Sequence, residues 1–343
     1  MLEILKYPII QAPMAGGVST PTLAAAVSNA GGMGFLAGGY KTVEGLEKDI
    51  KELRGQTAAA FGVNLFVPGP DTADQQAVEA YRAELLKEAE KLNVSLGAPV
   101  YDDDAYPGKI ELVRAERVPV VSFTFGCPAR EVVQTLQEGG SKVVVTVTSA
   151  EEAAAALDAG ADALCVQGAE AGGHRGTFSN APEPQEDYGL LVLLRLVRKM
   201  TDVPLIAAGG IMDGAAIRAV LAAGANAAQL GTAFLLCPES GTNPAYRQAL
   251  TDPGFTSTRI TRAFTGRKAR GLVNRFMETY DALAPAAYPH VHHLTQQLRK
   301  EAAARGSAEW MSLWAGQGYR MARAVPAAQL IRELMSEFQG SQS

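Results

Sequence analysis

Cysteine, histidine and tryptophan are scarce in this chain: three Cys, four His and two Trp occur among 343 residues. The thiols, Cys127, Cys165 and Cys237, are odd in number, far apart, and flanked by apolar residues or proline. That argues against a disulfide framework and shows no metal spacing, so buried free thiols and no metal are expected. A long apolar run is also missing. The longest uncharged stretch, Ala219 to Cys237, is punctuated by Gly224, Asn226, Gln229 and Gly231, and reads as helix, loop and strand, not as a membrane span. Met1 to Ile10 carries Glu3 and Lys6 and lacks the apolar core of a signal peptide. Nor is there an excess of positive charge: 31 Lys and Arg face 36 Asp and Glu, for a net charge of −5. A nucleic-acid binder or a protein of anionic membrane surfaces is disfavoured. The expectation is a soluble cytoplasmic protein, monomer or homodimer, with no nucleic-acid or membrane partner. Finally, no Gly-x-Gly-x-x-Gly turn follows a first strand, which disfavours FAD or NAD on a dinucleotide-binding fold.

What is present is apolar residue, 47%, against 20% charged, enough for a large core. Short apolar runs alternate with amphipathic stretches. The expected strands are Pro8–Gln11, Met33–Leu36, Ala59–Asn64, Val118–Phe123, Lys142–Val145, Ala163–Gln167, Leu205–Ala208 and Ala227–Leu230. Helical patterns lie between them, among them Thr20–Ala30, Val43–Leu53 and Ala215–Ala222. Eight β-then-α units imply an α/β fold of the (β/α)8 TIM-barrel type, with an open doubly wound sheet as the alternative. Leu157-Asp-Ala-Gly-Ala-Asp-Ala163 and Leu221-Ala-Ala-Gly-Ala-Asn-Ala227 repeat one device, a helix closed by glycine before a strand. Two segments break the rhythm. Residues 65–117 form an insertion after the third strand. Residues 238–320 form a smaller, mainly helical segment expected to cover the substrate. The barrel then comprises 1–237 and 321–343, with Pro326–Phe338 as its eighth helix.

The densest chemistry lies in Gln167-Gly-Ala-Glu-Ala-Gly-Gly-His174-Arg-Gly176, where four glycines and one imidazole follow an apolar strand. His174 is read as the catalytic base or hydrogen-bond donor. Arg175 either attracts an anionic substrate or pairs on the surface, and Glu170 holds the loop through backbone N–H groups. In such barrels phosphate is gripped after strands seven and eight. Those ends read Gly209-Gly210 and Gln229-Leu230-Gly231-Thr232. Their amides and the Thr232 hydroxyl suit a phosphate. Gln11, Asn64 and Gln167 end other strands, and their amides suit the mixed donor–acceptor edge of a flavin ring. Amides opposite phosphate glycines favour FMN. The cofactor-binding set is Gln11, Ala12, Met14, Asn64, Gln167, Gly172, Gly173, Gly209, Gly210, Gln229, Leu230, Gly231 and Thr232. His290, His292 and His293 have no carboxylate at metal spacing and are read as solvated or packing residues. Tyr288 and Trp314 could face the substrate or simply fill a core.

These motifs resemble the nitronate monooxygenases, formerly 2-nitropropane dioxygenases, of the bacterial class I type. The resemblance rests on Gln11–Gly17, Ser28–Gly34, Phe61–Pro68, Val121–Gly126, the loop Gln167–Gly176, Ala208–Gly210, Gln229–Thr232 and Trp314–Gly318, and runs over the whole chain. It implies an FMN enzyme with no nicotinamide requirement. The substrate would be a small anionic alkyl nitronate, propionate 3-nitronate foremost, oxidised with O2 to a carbonyl compound and nitrite, with His174 catalytic. The flavin-dependent enoyl-acyl-carrier-protein reductases and NADH:quinone reductases share the fold. The reductases also share a similar Glu-Ala-Gly-Gly-His loop, and both stay open as alternatives.

Overall fold

A computed structural model describes residues 5–181 and 186–340; residues 1–4 of the N-terminal segment and 341–343 of the last barrel stretch lie outside it. The apolar runs form parallel strands β1 (Ile9–Gln11), β2 (Phe35–Ala37), β3 (Gly62–Phe66), β4 (Val120–Thr124), β5 (Lys142–Val147), β6 (Ala163–Gln167), β7 (Leu205–Ala208) and β8 (Ala227–Leu230). They pair in the order β1-β8-β7-β6-β5-β4-β3-β2. The two ends meet through a parallel bridge between Ile10 and Met33, so the sheet closes on itself. The (β/α)8 expectation is correct, and the open sheet is not found. The third strand begins later than expected, at Gly62, because Ala59 lies exposed before it.

Side chains along a strand alternate between the two faces of a sheet. In the lower barrel the inward positions are apolar: Ile10, Phe35, Val120, Val144, Ala163, Ile206 and Ala227 form one buried cluster. Phe35 fills the space beside Gly62, where an added Cβ would lie 2.2 Å from its ring. One pleat further on, the same inward rows turn polar, as Asn64, Ser122, Thr146, Gln167 and Gln229. The sequence therefore builds a dry floor and a polar tier above it.

The helices pack outside. Thr20 caps Pro21–Asn29 by accepting from Leu23 N–H, with Pro21 at the first helical position. Gly160, at φ +96°, closes Ala150–Ala159, and Gly224, at φ +112°, follows Gly214–Ala222, as the repeat implies. Helix Ala327–Phe338 packs on Pro21–Asn29 and Gly214–Ala222 and supplies the eighth helix. Its approach is close: a Cβ on Gly214 would sit 2.3 Å from Phe338 N.

A second core stands above the barrel mouth. Helix Gln75–Leu92, from the insertion, packs on helix His290–Ala304. Tyr81, Leu85, Phe264, Phe276, Leu294 and Leu298 bury themselves between these and neighbouring segments. The stretch 238–320 is not only helical. Thr258–Thr261 and Ala269–Leu272 form an antiparallel pair, and Gly173–His174 adds to it as a third strand. Among the described residues no helix is long and apolar enough to cross a membrane.

Candidate active site at the barrel mouth

The polar tier floors a cleft of about 190 Å3. Ala12, Met14, Asn64, Gln167, Gly172, Gly173, His174, Gly209, Gly210, Gln229, Gly231 and Thr232 all line it. Gln11 and Leu230 do not. Each neighbours an inward residue, Ile10 or Gln229, and so points to the other face. The Gln11 amide serves the barrel itself: Oε1 accepts from Phe35 N–H at 3.0 Å and Nε2 donates to Ser19 Oγ at 2.9 Å. It braces β1 against β2, where pairing is thinnest. Alternation along the strand was the signal that could have removed both residues from the site.

The three amides within the cleft differ in how far they are engaged. Asn64 donates through Nδ2 to Ser122 Oγ at 2.9 Å and Thr124 Oγ1 at 3.0 Å, leaving Oδ1 without a side-chain or backbone donor among the described residues. Gln229 makes one long contact, Nε2 to Cys165 Sγ at 3.4 Å. Gln167 is committed to its own loop: Nε2 donates to His174 O at 3.0 Å, and Oε1 accepts from Gly176 N–H at 2.8 Å and Arg175 Nη1 at 3.0 Å.

Opposite, Gly209 (φ +129°) and Gly210 (φ +69°) hold left-handed backbone that a side chain would strain. Thr232 Oγ1 accepts from Gly316 N–H at 3.0 Å and keeps its own hydrogen for another acceptor. Gln317 N–H donates to Glu170 O at 3.0 Å. A Cβ on Gly172 would lie 2.4 Å from Gly316 N. The loop after β6, the turn after β8 and Trp314–Gly318 are thus interlocked backbone to backbone. The Glu170 carboxylate accepts from Leu190 N–H through both oxygens at 3.0 Å, at the start of helix Leu190–Arg198. Its expected structural role is what the geometry displays.

His174 sits in the edge strand, paired with Ala269. Rings surround it: Phe125 at 5.5 Å, Trp314 at 5.5 Å and Tyr288 at 6.2 Å between centroids. Burial, then the nearby cations Arg267 and Arg299, push its pKa down to about 3. The imidazole is therefore neutral near pH 7. The Thr265 hydroxyl lies 2.9 Å from His174 Nε2 and 3.2 Å from Arg267 O, and its one proton can serve either acceptor.

Arg175 is neither on the surface nor at the substrate. It is 1% exposed and donates to Gln167 O, Gln167 Oε1 and Gly168 O, with Asp187 3.4 Å from Nε. The cation that sequence reading missed is Arg267. It is 5% exposed, lies 4.1 Å over the Phe125 ring and 5.8 Å from that of Tyr288, and donates through Nη2 to Thr177 O. Ninety-two positions of chain separate it from Arg175 (267 minus 175), and only the strand pairing brings it near His174.

Arg267 lines a larger chamber of about 860 Å3 that shares Tyr40, Phe66 and Phe125 with the cleft. That volume is ordinary for a small-molecule site. Tyr288 lines the chamber and Trp314 the cleft. The histidines of the helix pack, His290 and His292 buried and His293 half-buried. His292 stacks on Tyr40 at 4.0 Å, while His290 lies 3.6 Å from Asp71 and His293 contacts Asp102, tying the helix to the insertion. Cys165 and Cys237 are buried and Cys127 half-buried, all three as free thiols.

Comparison with known proteins places this architecture. The family model described as nitronate monooxygenase matches residues 1–337. The nitronate monooxygenase of Pseudomonas aeruginosa is 46% identical, covering 98% of this chain and 97% of its own. A probable nitronate monooxygenase of Bacillus subtilis is 38% identical over 97% of this chain and 96% of its own. Among solved structures, a nitroalkane oxidase from Streptomyces ansochromogenes superposes with a TM-score of 0.95 at 53% identity, covering 99% of this chain and 97% of that one. FabK from Thermotoga maritima is more distant, with a TM-score of 0.78 at 29% identity over 99% and 95%. A match that runs the full length of the barrel and of the segment above it, at such identities, means that this chain belongs to the nitronate monooxygenase family of oxidoreductases.

Proposed function

We propose that the protein is an FMN-dependent nitronate monooxygenase that oxidises small anionic alkyl nitronates with O2 to a carbonyl compound and nitrite, propionate 3-nitronate being the foremost substrate. The observation that carries this reading is a neutral His174 at a cleft whose far wall is left-handed glycine. The residues present fit a flavin mononucleotide. Gly209, Gly210, Gly231 and Thr232 would take the phosphate, with the spare Thr232 proton as a donor. Asn64 Oδ1 would accept from the ring edge, and Gln229, Gly172, Gly173, Ala12 and Met14 would bound the rest. Gln167 acts chiefly by holding the loop, and Gln11 and Leu230 by holding their strands. The cleft is small, so the flavin would occupy it together with part of the chamber beyond Phe125.

When bound, FMN supplies the electron transfer and the reaction with O2. The chain supplies the surroundings. A His174 with a pKa near 3 is a poor base towards a neutral nitroalkane, and this favours the pre-formed nitronate as substrate. An anion arriving beside it raises its proton affinity. The segment 238–320, through Trp314 and Tyr288, would cover the substrate and exclude water.

The test is oxygen consumption by the purified yellow protein with propionate 3-nitronate, compared with NADH alone. Turnover of the nitronate without NADH is expected. Rapid flavin reduction by NADH with no nitronate turnover would move the assignment to the reductase branches. His174→Asn should lose on the order of 100-fold on ethyl nitronate, with flavin content near wild type, while neutral nitroethane, towards which His174 is a poor base, is turned over slowly by wild type and variant alike. Wild-type rates on both substrates would leave His174 a structural residue.

A further inference from the structure

The nitronate reading leaves one strong charge without a task. Arg267 is buried, yet no carboxylate among the described residues lies within ion-pairing distance of it. Its Nε is a buried donor with no hydrogen-bond partner, and Nη2 alone binds the protein, at Thr177 O. A buried, unpaired cation is costly to keep. Desolvation lowers the guanidinium's proton affinity, and the cations around it add to a positive potential that reaches His174. Arg299, the second cation near that imidazole, is engaged by His292 and Thr295 and has no carboxylate partner among the described residues either.

Position decides which anion Arg267 awaits. His174 lines the inner cleft and not the outer chamber; Arg267 lines the chamber and not the cleft. Phe125 lies between them, with the guanidinium 4.1 Å from its ring and His174 5.5 Å. A ligand reaching from one to the other needs its reacting group inside and a second anionic group further out. The chamber's acidic residues do not compete for the guanidinium. Asp104 binds Lys109 at 2.7 Å and Asp102 contacts His293. Asp103 is exposed and Glu44 lies in the first turn of the helix Val43–Gln56.

The guanidinium is also held still. The turn Thr265–Arg267 is fixed by Gly266, at φ +75°, whose Cβ position lies 2.4 Å from Ala287 O, and by Asn180, which donates to Gly266 O at 2.9 Å. The same turn carries the Thr265 hydroxyl that hydrogen-bonds His174 Nε2. One rigid turn therefore spaces the imidazole from the guanidinium.

Building on the nitronate assignment, we infer that Arg267 is the specificity-determining residue of the site: it binds a carboxylate on the substrate, outward of the nitronate carbon. Two substrates differing only there test it. Propionate 3-nitronate carries the carboxylate, and propyl-1-nitronate has a methyl group in its place. In wild type the ratio of their kcat/KM values should favour the first. In Arg267→Met that ratio should fall by about 10- to 100-fold, the worth of a charge-assisted hydrogen bond, mainly through KM. Arg267→Lys should recover part of it, having the charge without the fork. Should Arg267→Met not fold, the Lys variant alone must show a smaller fall in the same direction. A second readout needs no turnover: propionate titrated into the purified protein should quench Trp314 fluorescence in wild type and not in the variant. An unchanged ratio, or a parallel loss on both nitronates, overturns the assignment, as does a wild type that binds no propionate. If neither nitronate turns over but propionate binding still depends on Arg267, the nitronate reading fails and the anion site stands.

Discussion

Arg175 and Arg267 are two buried arginines on facing segments, and they are settled in opposite ways. Arg175 is absorbed by its own loop, with three oxygens on one nitrogen and a carboxylate beside it. Arg267 keeps one protein acceptor, two aromatic faces and an open chamber. The first is how a fold uses a charge to stitch a loop. The second is how a fold reserves a charge for something that arrives later. Adjacency in sequence to His174 pointed to the wrong one, since a residue next to an inward side chain in an edge strand faces away from it.

The comparison can be broken most violently at the loop that carries Arg175. Gly172→Val would drive a side chain into backbone, 2.4 Å from Gly316 N and 2.6 Å from Ala315 C. Neither can swing aside, so a loss beyond about 4 kcal/mol, or no soluble protein, is expected in urea unfolding. At Gly173 nothing lies within 4 Å, and only φ +75° opposes a side chain. Gly173→Ala should cost about 1–2 kcal/mol. Equal costs at the two glycines would show that the interlock with Trp314–Gly318 is loose.

Next in size is the arginine pair itself. Arg175→Met removes the three bonds of Nη1 and the cation beside Asp187, and should destabilise by roughly 2–4 kcal/mol. Arg267→Met removes a cation with one protein bond and should stay within about 1 kcal/mol of wild type, or gain. Melting of the two variants at pH 7 checks this, and equal losses would erase the distinction between stitched and reserved charge.

The last effect concerns pH. His174 is held to a pKa of about 3 and His292 to about 2, chiefly by burial. Both lie below the ordinary value of 6.5. Below that value the unfolded chain takes up protons that the folded chain refuses, so stability must fall as pH falls towards 3 and be independent of these groups above 6.5. The slope is about 1.4 kcal/mol per pH unit for each histidine. His292→Phe should remove roughly half of it in urea midpoints taken between pH 7 and 4.5. A flat profile in wild type would mean that the imidazoles near Arg267 are charged after all.

Much of the barrel was legible because its signals are local. Apolar runs of strand length, glycine after several of the helices and polar residues at strand ends all sit within a few positions of one another, and Asn64, Gly209 and Thr232 reach the cleft as expected. Gln11 and Leu230 were misassigned for want of counting parity along a three- or four-residue strand. The pair Thr258–Thr261 and Ala269–Leu272 was not seen, since its turn holds Arg262, Arg267 and Lys268 and few apolar residues. Arg267 was beyond reach for the same reason: nothing near it in sequence tells which strand will pair with Gly173–His174. The depression of the His174 pKa likewise depends on burial under rings drawn from three separate stretches and on two distant arginines.

The sharing of that short sheet limits how such enzymes can be rebuilt. The barrel contributes Gly173 and His174 as an edge, and the upper segment contributes the two strands that receive it. A graft that exchanged 238–320 for a relative's version would replace the strand partner of His174, the hydroxyl bonded to its ring and the cation beside it in a single stroke. The upper segment is thus not a modular lid to be traded for new substrate preference. Recombination that respects the chemistry would have to move Gly173–Thr177 and Thr258–Leu272 together, and library crossovers placed between those blocks should yield folded but inactive chimeras.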